Sequence, residues 1–258
     1  KEIFTGSLHA QWLHGAPASN MKSEVTLSLS KSEHPFNGYE KFTFNNPLIN
    51  YYNSQHKIFD EHLDAAGSAS IRTKLPKAEN APGMLRGNIL SKVYEMGGDM
   101  SFYSQSIFYS PFSTYVGVKA PSSTHGEWLE TDQPFIFDVV SLKDNGEKTV
   151  NQKLSYKIYK LEWSWWWSSS EEDLSSYINS TSARAIAEGN FTAINGRAKI
   201  DFQVDYPDWG RYIILVKDKE SGHTSGSIFY VDWPESRGIA EKKDPKGFTM
   251  LTFSTDKP

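Results

Sequence analysis

Apolar and polar residues alternate along much of this chain with the two-residue period of a β-strand. Val25, Leu27 and Leu29 alternate with polar residues, which is the pattern of a strand that buries one face and exposes the other. Similar runs rich in β-branched and aromatic residues recur, separated by clusters of Gly, Asn, Asp, Pro and Ser. Because strands and turns have these compositions, the sequence predicts an all-β protein of tandem antiparallel β-sandwich domains.

The runs in the first part of the chain predict one sandwich over residues 1–111. Its strands are bounded by turn residues, and the Ser-Pro pair at residues 110–111 closes it. The predicted features are two runs that pair with each other (residues 4–14 and 25–29), a turn at residues 64–67, a strand with Ala69 and Ile71 on one face, and a last strand over residues 85–94.

Beyond Pro111 the pattern restarts and predicts a second sandwich over residues 112–234. Asn195 and Gly196 form a type I′ hairpin signal, because both central positions of that turn require a positive φ. The other predicted features are strands at residues 115–118, 135–142 and 156–167, a tight reversal at 144–146, hairpin strands at 185–194 and 198–204, and an antiparallel pair at 209–217 and 227–233.

Residues 235–258 are expected to be a linker and the first strand of a truncated following domain. Residues 236–246 are charged and lack an apolar run, whereas residues 248–253 are strand-like. An isolated strand cannot form a sandwich, so we expect this segment to be disordered or to pair with a sheet edge. The chain begins without Met or a signal-like segment, which indicates a piece of a longer protein.

The composition limits the classes of function. The 258 residues are 38% hydrophobic, 14% aromatic and 22% charged, which is typical of a soluble, aromatic-rich β protein. The net charge of -4 provides no basic surface for nucleic acid, and no apolar run is long enough to expect membrane contact. The absence of Cys excludes disulfides, a thiol nucleophile and thiolate metal sites. We expect no cofactor.

A tryptophan cluster is the strongest candidate for an interaction surface. The strand period places Leu161, Trp163, Trp165 and Trp167 on one face. Leaving several of these side chains in water would forfeit on the order of 10 kcal/mol, so we expect something to cover them. The sequence leaves three possibilities: packing between sheets or domains, stacking on a sugar, and contact with a protein partner.

No constellation of side chains predicts catalysis or metal binding. Asp201 and Asp205 are expected on the same face of a strand, whereas glycosidase acids face each other across a cleft. The acidic residues 171–173 are typical of a solvated loop, and no predicted helix aligns His56 with His62 as a metal site would need. We therefore expect no enzyme activity, no catalytic residue and no metal site.

Short motifs along the whole chain carry a resemblance to a known family. Residues 63–69 read Leu-Asp-Ala-Ala-Gly-Ser-Ala, and residues 208–212 read Asp-Trp-Gly-Arg-Tyr. With the segments at 93–99, 230–233 and 251–258, they resemble the turns, strand starts and domain ends of macroglobulin-type domains in bacterial α2-macroglobulins. The order of the segments and their roughly domain-length spacing carry this likeness.

The resemblance implies a protease trap, in which a bait segment is cut and the molecule rearranges around the attacking protease. The family's thioester needs a Cys, which this chain lacks, and the family's bait lies after a strand like the one at residues 251–258. The resemblance therefore implies a non-catalytic structural segment upstream of the bait. The implied partners are target proteases, through the full-length parent, and neighbouring macroglobulin domains of the same chain. The implied location is the periplasm or the cell envelope, where such a parent is attached as a lipoprotein.

A carbohydrate-binding β-sandwich module of a secreted polysaccharide-utilisation protein is the alternative. The two hypotheses differ in what covers Trp163, Trp165 and Trp167. A glycan platform predicts coplanar rings that face solvent, whereas a macroglobulin segment predicts rings packed against the sandwich or a neighbouring domain.

Overall fold

A computed structural model describes residues 3–75, 78, 80–95, 97–121, 128–161, 174, 178 and 184–233. Strands dominate these residues, which confirms the predicted all-β fold. The predicted linker and terminal strand at residues 235–258 lie outside the described residues. No helix in the described part of the chain is long and apolar enough to cross a membrane.

The first six strands form an N-terminal sandwich of a two-stranded and a four-stranded sheet. The sheet orders are β1-β4 and β3-β2-β5-β6, with every pair antiparallel. Leu27, Leu29 and Leu85 form its buried core. The strands are β1 (Ile3–His9), β2 (Lys22–Lys31), β3 (Ser54–His62), β4 (Ser68–Lys74), β5 (Leu85–Tyr94) and β6 (Met100–Tyr109).

The other eight strands form a C-terminal sandwich. They are hydrogen-bonded in the order β7-β9-β12-β11-β10-β13-β14-β8, and only the β14–β8 pair is parallel. The strands are β7 (Thr114–Lys119), β8 (Leu129–Glu130), β9 (Pro134–Lys143), β10 (Asn151–Leu161), β11 (Ala187–Ile194), β12 (Arg197–Gln203), β13 (Gly210–Asp218) and β14 (Thr224–Asp232).

The eight-stranded sheet folds into two layers at the hairpin between β11 and β12. These strands pair only at Ile194 and Arg197, after which β11 pairs with β10 and β12 pairs with β9. Phe137 on β9, Ile158 on β10 and Ile214 on β13 belong to one buried cluster. The two layers therefore enclose a common core, as in a sandwich.

The predicted type I′ turn is confirmed, but the hairpin it was expected to join is short. Asn195 and Gly196 have φ values of 50° and 68°, the positive values that this turn requires. The sequence pattern gives no sign that the two strands diverge after one residue pair. Alternation specifies which face of a strand is buried, and it leaves the hydrogen-bonded neighbour open.

The predicted pairing of the first two runs is wrong. β1 pairs with β4, and β2 lies between β3 and β5. The reason is the connection between them: residues 10–18 form a small hairpin of their own, with a bridge between Gln11 and Pro17. The chain uses this connection to pass from the two-stranded sheet to the four-stranded sheet.

Strands β3 and β6 were not predicted from the sequence. β3 has a register irregularity opposite Val25 and Thr26, which interrupts the two-residue period. β6 is exposed on both faces over most of its length, so no apolar face marks it. The predicted β5, at residues 85–94, is confirmed with the same bounds.

The strand groups change between Tyr109 and Thr114, an interval that contains the predicted boundary at residue 111. That residues 1–111 and 112–234 fold as separate domains stays a prediction.

The predicted turn at residues 64–67 is confirmed, and its geometry explains its residue types. The Asp64 carboxylate accepts hydrogen bonds from the backbone N–H groups of Ala66 and Ser68, both at 2.8 Å. Gly67 has a φ of 70°, and a Cβ there would lie 2.4 Å from the Ala10 carbonyl oxygen. The turn therefore packs directly on the backbone of the small hairpin.

Replacing Gly67 with Ala should destabilise the chain more than the same change at Gly98. Both glycines have positive φ, but a Cβ on Gly98 meets nothing within 4 Å. Gly98→Ala should therefore cost about 1–2 kcal/mol for the backbone conformation alone, and Gly67→Ala should cost at least about 1 kcal/mol more. Urea unfolding of the two variants measures the difference, and equal costs would contradict the close packing at Gly67.

Candidate functional site

The best-built polar site in the described residues is a junction between the two sandwiches. The connection from β2 to β3 leaves the N-terminal sandwich, and residues 36–46, here called the strap, lie on the C-terminal sandwich. Thr43 and Val118 exchange two backbone hydrogen bonds of 2.8 and 3.0 Å. The Ser225 hydroxyl donates to the Thr43 carbonyl at 2.5 Å. The strap thus adds a short strand-like pairing to the free side of β7.

Phe44 is the hydrophobic anchor of the strap. Its side chain is 1% exposed and packs in a cluster with Phe36 and Tyr115. A Cβ on Gly117 would lie 2.6 Å from two carbon atoms of the Phe44 ring. Gly117 therefore leaves the space that the aromatic ring occupies, which explains a glycine in the middle of a buried strand.

His223 connects the strap to β7 through both of its ring nitrogens. Nδ1 accepts a hydrogen bond from the Val116 N–H at 3.0 Å, and Nε2 lies 2.9 Å from the Phe44 carbonyl oxygen. Because a carbonyl can only accept, Nε2 carries the proton and the imidazole is neutral. Burial lowers the pKa of His223 to about 4, although the Phe44 carbonyl and the Asp218 carboxylate oppose this effect.

Asp218, at the end of β13, is a second polar residue of the junction and accepts hydrogen bonds from β7 and β10. Thr114 Oγ1 and Gln152 Nε2 donate to its carboxylate at 2.5 and 2.9 Å, as do the N–H groups of Glu220 and Ser221 at 2.9 and 3.3 Å. Burial raises the pKa of this carboxyl, but the four hydrogen bonds together outweigh burial and lower it. Asp218 is therefore a satisfied buried carboxylate.

Ser221, His223 and Asp218 have the residue types of a catalytic triad, but their hydrogen bonds are structural. The Ser221 hydroxyl donates to the Thr114 carbonyl at 2.9 Å, and neither imidazole nitrogen is directed at a nucleophile. A triad needs the base bonded to the nucleophile and oriented by the acid. The three side chains instead fix the ends of β7, β13 and β14 relative to the strap.

The structure tests only some of the candidates that were predicted from the sequence. Trp163, Trp165 and Trp167 lie outside the described residues, as do the acidic residues 171–173. Asp201 lies on β12, whereas Asp205 follows the end of that strand, so their predicted placement on one strand face is wrong. Among the described residues, no group of three His, Cys, Asp or Glu side chains could hold a metal ion.

Two tryptophans outside the predicted cluster do contact each other at the far end of the C-terminal sandwich. Trp209 and Trp233 have ring centroids 5.2 Å apart and an interplanar angle of 63°. A flat sugar platform requires coplanar rings, so this edge-to-face pair is the geometry of side-chain packing.

One feature of the sequence indicates the junction, although no site was predicted from it. Gly117 lies between Val116 and Val118, and an isolated glycine in a strand marks a close approach of another group. His223 and Asp218 carried no comparable signal, because the side-chain hydrogen bonds that tie them to Thr114, Val116, Gln152 and Phe44 span 66 to 179 residues along the chain.

The contact between Phe44 and Gly117 should be measurable as a coupling energy. Gly117→Ala should destabilise the chain through overlap with the Phe44 ring, and Phe44→Leu should cost about 1–2 kcal/mol. The double variant should be more stable than the sum of the two effects by at least about 0.5 kcal/mol, because the smaller side chain makes room for the methyl group. Urea unfolding of all four proteins measures the coupling, and strict additivity would exclude the contact.

The neutral His223 should make the stability of the chain depend on pH below neutrality. Because its pKa falls from 6.5 to about 4 on folding, the unfolded state binds the proton first. Stability should be complete above pH 6.5, decrease towards pH 4 and become level below it, for a total of about 3 kcal/mol from this group.

The matched variants for this pH dependence are His223→Gln and His14→Gln. Glutamine can keep both hydrogen bonds of His223 without titrating, so His223→Gln should flatten the profile between pH 6.5 and 4. His14 is exposed, and its replacement should leave the profile unchanged. Unfolding free energies across this pH range test the assignment, which fails if the two variants give the same profile.

Two family models match the amino-acid sequence of this chain. The model of the bacterial alpha-2-macroglobulin MG5 domain matches residues 1–100, and the model of bacterial macroglobulin domain 6 matches residues 117–233. A search of curated protein sequences finds no match.

Solved structures similar to this chain include alpha-2-macroglobulins of two bacteria. Trypsin-activated alpha-2-macroglobulin from Escherichia coli has 16% sequence identity and a TM-score of 0.66, over 90% of this chain and 16% of that chain. The native conformation of the E. coli protein has 18% sequence identity and a TM-score of 0.62, over 90% of this chain and 15% of that chain. A mutant Salmonella alpha-2-macroglobulin has 19% sequence identity and a TM-score of 0.58, over 89% of this chain and 15% of that chain.

These likenesses extend over about nine tenths of this chain, which spans about one sixth of the length of those relatives. The two domain models match in the order that their numbers indicate. The chain belongs to the bacterial alpha-2-macroglobulin family, whose members are protease inhibitors.

Proposed function

We propose that this chain is a non-catalytic structural segment of a bacterial alpha-2-macroglobulin-like, broad-spectrum protease trap. In this role it holds the bait region and the trapping chamber in position. The observation that supports the proposal is the junction, where the strap joins the two sandwiches by backbone hydrogen bonds, the Phe44 anchor and the buried His223. Such a joint transmits force and maintains geometry without any reacting group.

The proposed partners are target proteases, reached through the full-length parent, and neighbouring macroglobulin domains of the same chain. Two of the similar structures are alpha-2-macroglobulins activated by trypsin and by porcine elastase, which supports proteases as the class of target. The proposed location is the periplasm or the cell envelope, supported by membership of the family.

The proposal requires that the junction matters for trapping in the full-length protein. Phe44→Ala in the parent should weaken the joint by about 3–5 kcal/mol and lower the fraction of protease that is trapped. Trapped protease can be measured as activity that persists on a small peptide substrate but is lost on a large protein substrate. Leu13→Ala is the matched control, because Leu13 is fully exposed and its loss should leave trapping unchanged.

Two results would overturn the structural role. Unchanged trapping by Phe44→Ala, in a parent whose junction is shown to be weakened by urea unfolding, would separate the joint from the function. Direct inhibition of trypsin or elastase by residues 1–258 alone would show that the segment itself acts on proteases.

A further inference from the structure

His223 is enclosed by three parts of the chain that meet at the junction. Its Nδ1 faces the Val116 N–H on β7, and its Nε2 faces the Phe44 carbonyl on the strap. The ring centroids of Phe112 and Tyr115 lie 4.9 and 4.8 Å from that of the imidazole, and the residue is 0% exposed. Water therefore reaches the imidazole only when one of these parts moves away.

A second proton on His223 does not fit the closed junction. Nε2 already donates to the Phe44 carbonyl, so the second proton must go to Nδ1. Nδ1 accepts a hydrogen bond from the Val116 N–H at 3.0 Å, and a protonated Nδ1 would set two donors against each other. The charged ring would also be cut off from water, which costs free energy. The geometry of the hydrogen bonds therefore opposes protonation while the junction is closed.

Of the enclosing parts, the strap has the shortest pairing with the C-terminal sandwich. β7 is paired with β9 over its whole length, Thr114–Lys119, whereas among the described residues the strap pairs with β7 only at Thr43. The backbone of His223 is itself fixed, because the Asp218 N–H donates to the His223 carbonyl at 2.8 Å. When the closed arrangement is broken at His223, the strap is therefore the part that leaves.

Removing the strap from β7 leaves both main cores intact. Phe36 and Phe44 of the strap belong to a separate cluster with Tyr115. The core of the N-terminal sandwich, around Leu27, and that of the C-terminal sandwich, around Ile158, contain no strap residue among those that the structure describes. The two sandwiches can therefore stay folded when the strap moves away.

Among the described residues, Asp218 is the only charged side chain that acts electrostatically on His223. Burial raises the pKa of Asp218, but its hydrogen bonds outweigh burial and lower it, so the carboxylate stays ionised while His223 titrates. Tyr115 also faces the imidazole, and burial raises its pKa to about 12. On the strap, Glu40 and Lys41 are exposed. His223 is therefore the group of the junction whose charge changes in mild acid.

We propose that protonation of His223 favours an open junction, in which the strap has left β7 while both sandwiches stay folded. This is an acid-sensitive switch in the contact that joins the two sandwiches. In the parent protein it releases the C-terminal sandwich from the strap, and that consequence rests on the proposed role of the chain in a protease trap. The opening itself depends only on contacts within this chain.

The direction of the pH effect follows from the two forms of the junction. When it is closed, burial lowers the pKa of His223 from 6.5 to about 4, and when it is open, the ring meets water and regains its ordinary value. Closing is therefore favoured most above pH 6.5 and weakens as the pH falls towards 4. The ratio of closed to open chains should decrease about 300-fold over this range and stay level at lower pH.

Hydrogen exchange of single backbone amides in residues 1–258 measures the opening. Thr43 and Val118 report on the strap, since their N–H groups bond across the junction, while Ile158 and Ile214 report on the pairing of β10 with β13. With intrinsic exchange rates corrected, the strap amides should be at least about tenfold less protected than the core amides. Low urea concentrations should accelerate exchange in the core but not in the strap, because a local opening exposes little surface.

The pH dependence is tested with the variants His223→Gln and His14→Gln. From pH 6.5 to 4, the protection of Thr43 and Val118 should fall about 300-fold in the unaltered chain and in His14→Gln. In His223→Gln, whose side chain keeps both hydrogen bonds without titrating, it should fall less than about threefold. The comparison of strap and core amides in the unaltered chain does not require that His223→Gln folds.

Three outcomes would overturn this inference. In the first, strap and core amides are equally protected, so that the strap opens only when the whole chain unfolds. In the second, the protection of the strap is independent of pH, and in the third it falls equally in His223→Gln. None of these measurements uses a protease, so such a failure leaves the trapping role standing, and that role is tested separately with Phe44→Ala in the parent.

Discussion

The pairing of the strap with the C-terminal sandwich is the interaction on which this structure depends. Thr43 supplies the donor and the acceptor that Val118 needs on the free side of β7, and the Phe44 carbonyl accepts from His223. Val118 and His223 are buried, and a buried polar group costs about 1–3 kcal/mol if it loses its partner. The core of the C-terminal sandwich is therefore completed by a segment that comes from between two strands of the N-terminal one.

This arrangement differs from a flexible connection between two domains. Interfaces between domains of one chain are usually polar and allow relative motion. Here the joint combines a backbone pairing, an aromatic cluster around Phe44 and a buried network that includes Asp218. Packed interiors of this kind do not deform continuously. Moving the strap away from the C-terminal sandwich therefore requires breaking these contacts.

Elements with a clear hydrophobic period or a turn signal were predicted from the sequence. Features that depend on contacts between distant parts of the chain were missed. The alternation of Val25, Leu27 and Leu29 predicted a half-buried strand, and these positions are buried in β2. β5 was predicted with its observed bounds. The type I′ turn was predicted because Asn195 and Gly196 require positive φ. Strand neighbours were not predictable, since alternation does not specify them. The junction was missed because Phe44 lies in an irregular segment, and its contacts with His223 span 179 residues.

The open strand edges of this chain differ in how they are closed. An unpaired row of N–H and C=O groups must be paired, blunted or covered. β7 is paired by the strap of its own chain, which fixes the two sandwiches together. β3 is blunted by charges and a register irregularity. β6 contains no charged residue and pairs only with β5 among the described strands, so neither charges nor the strap close its free side.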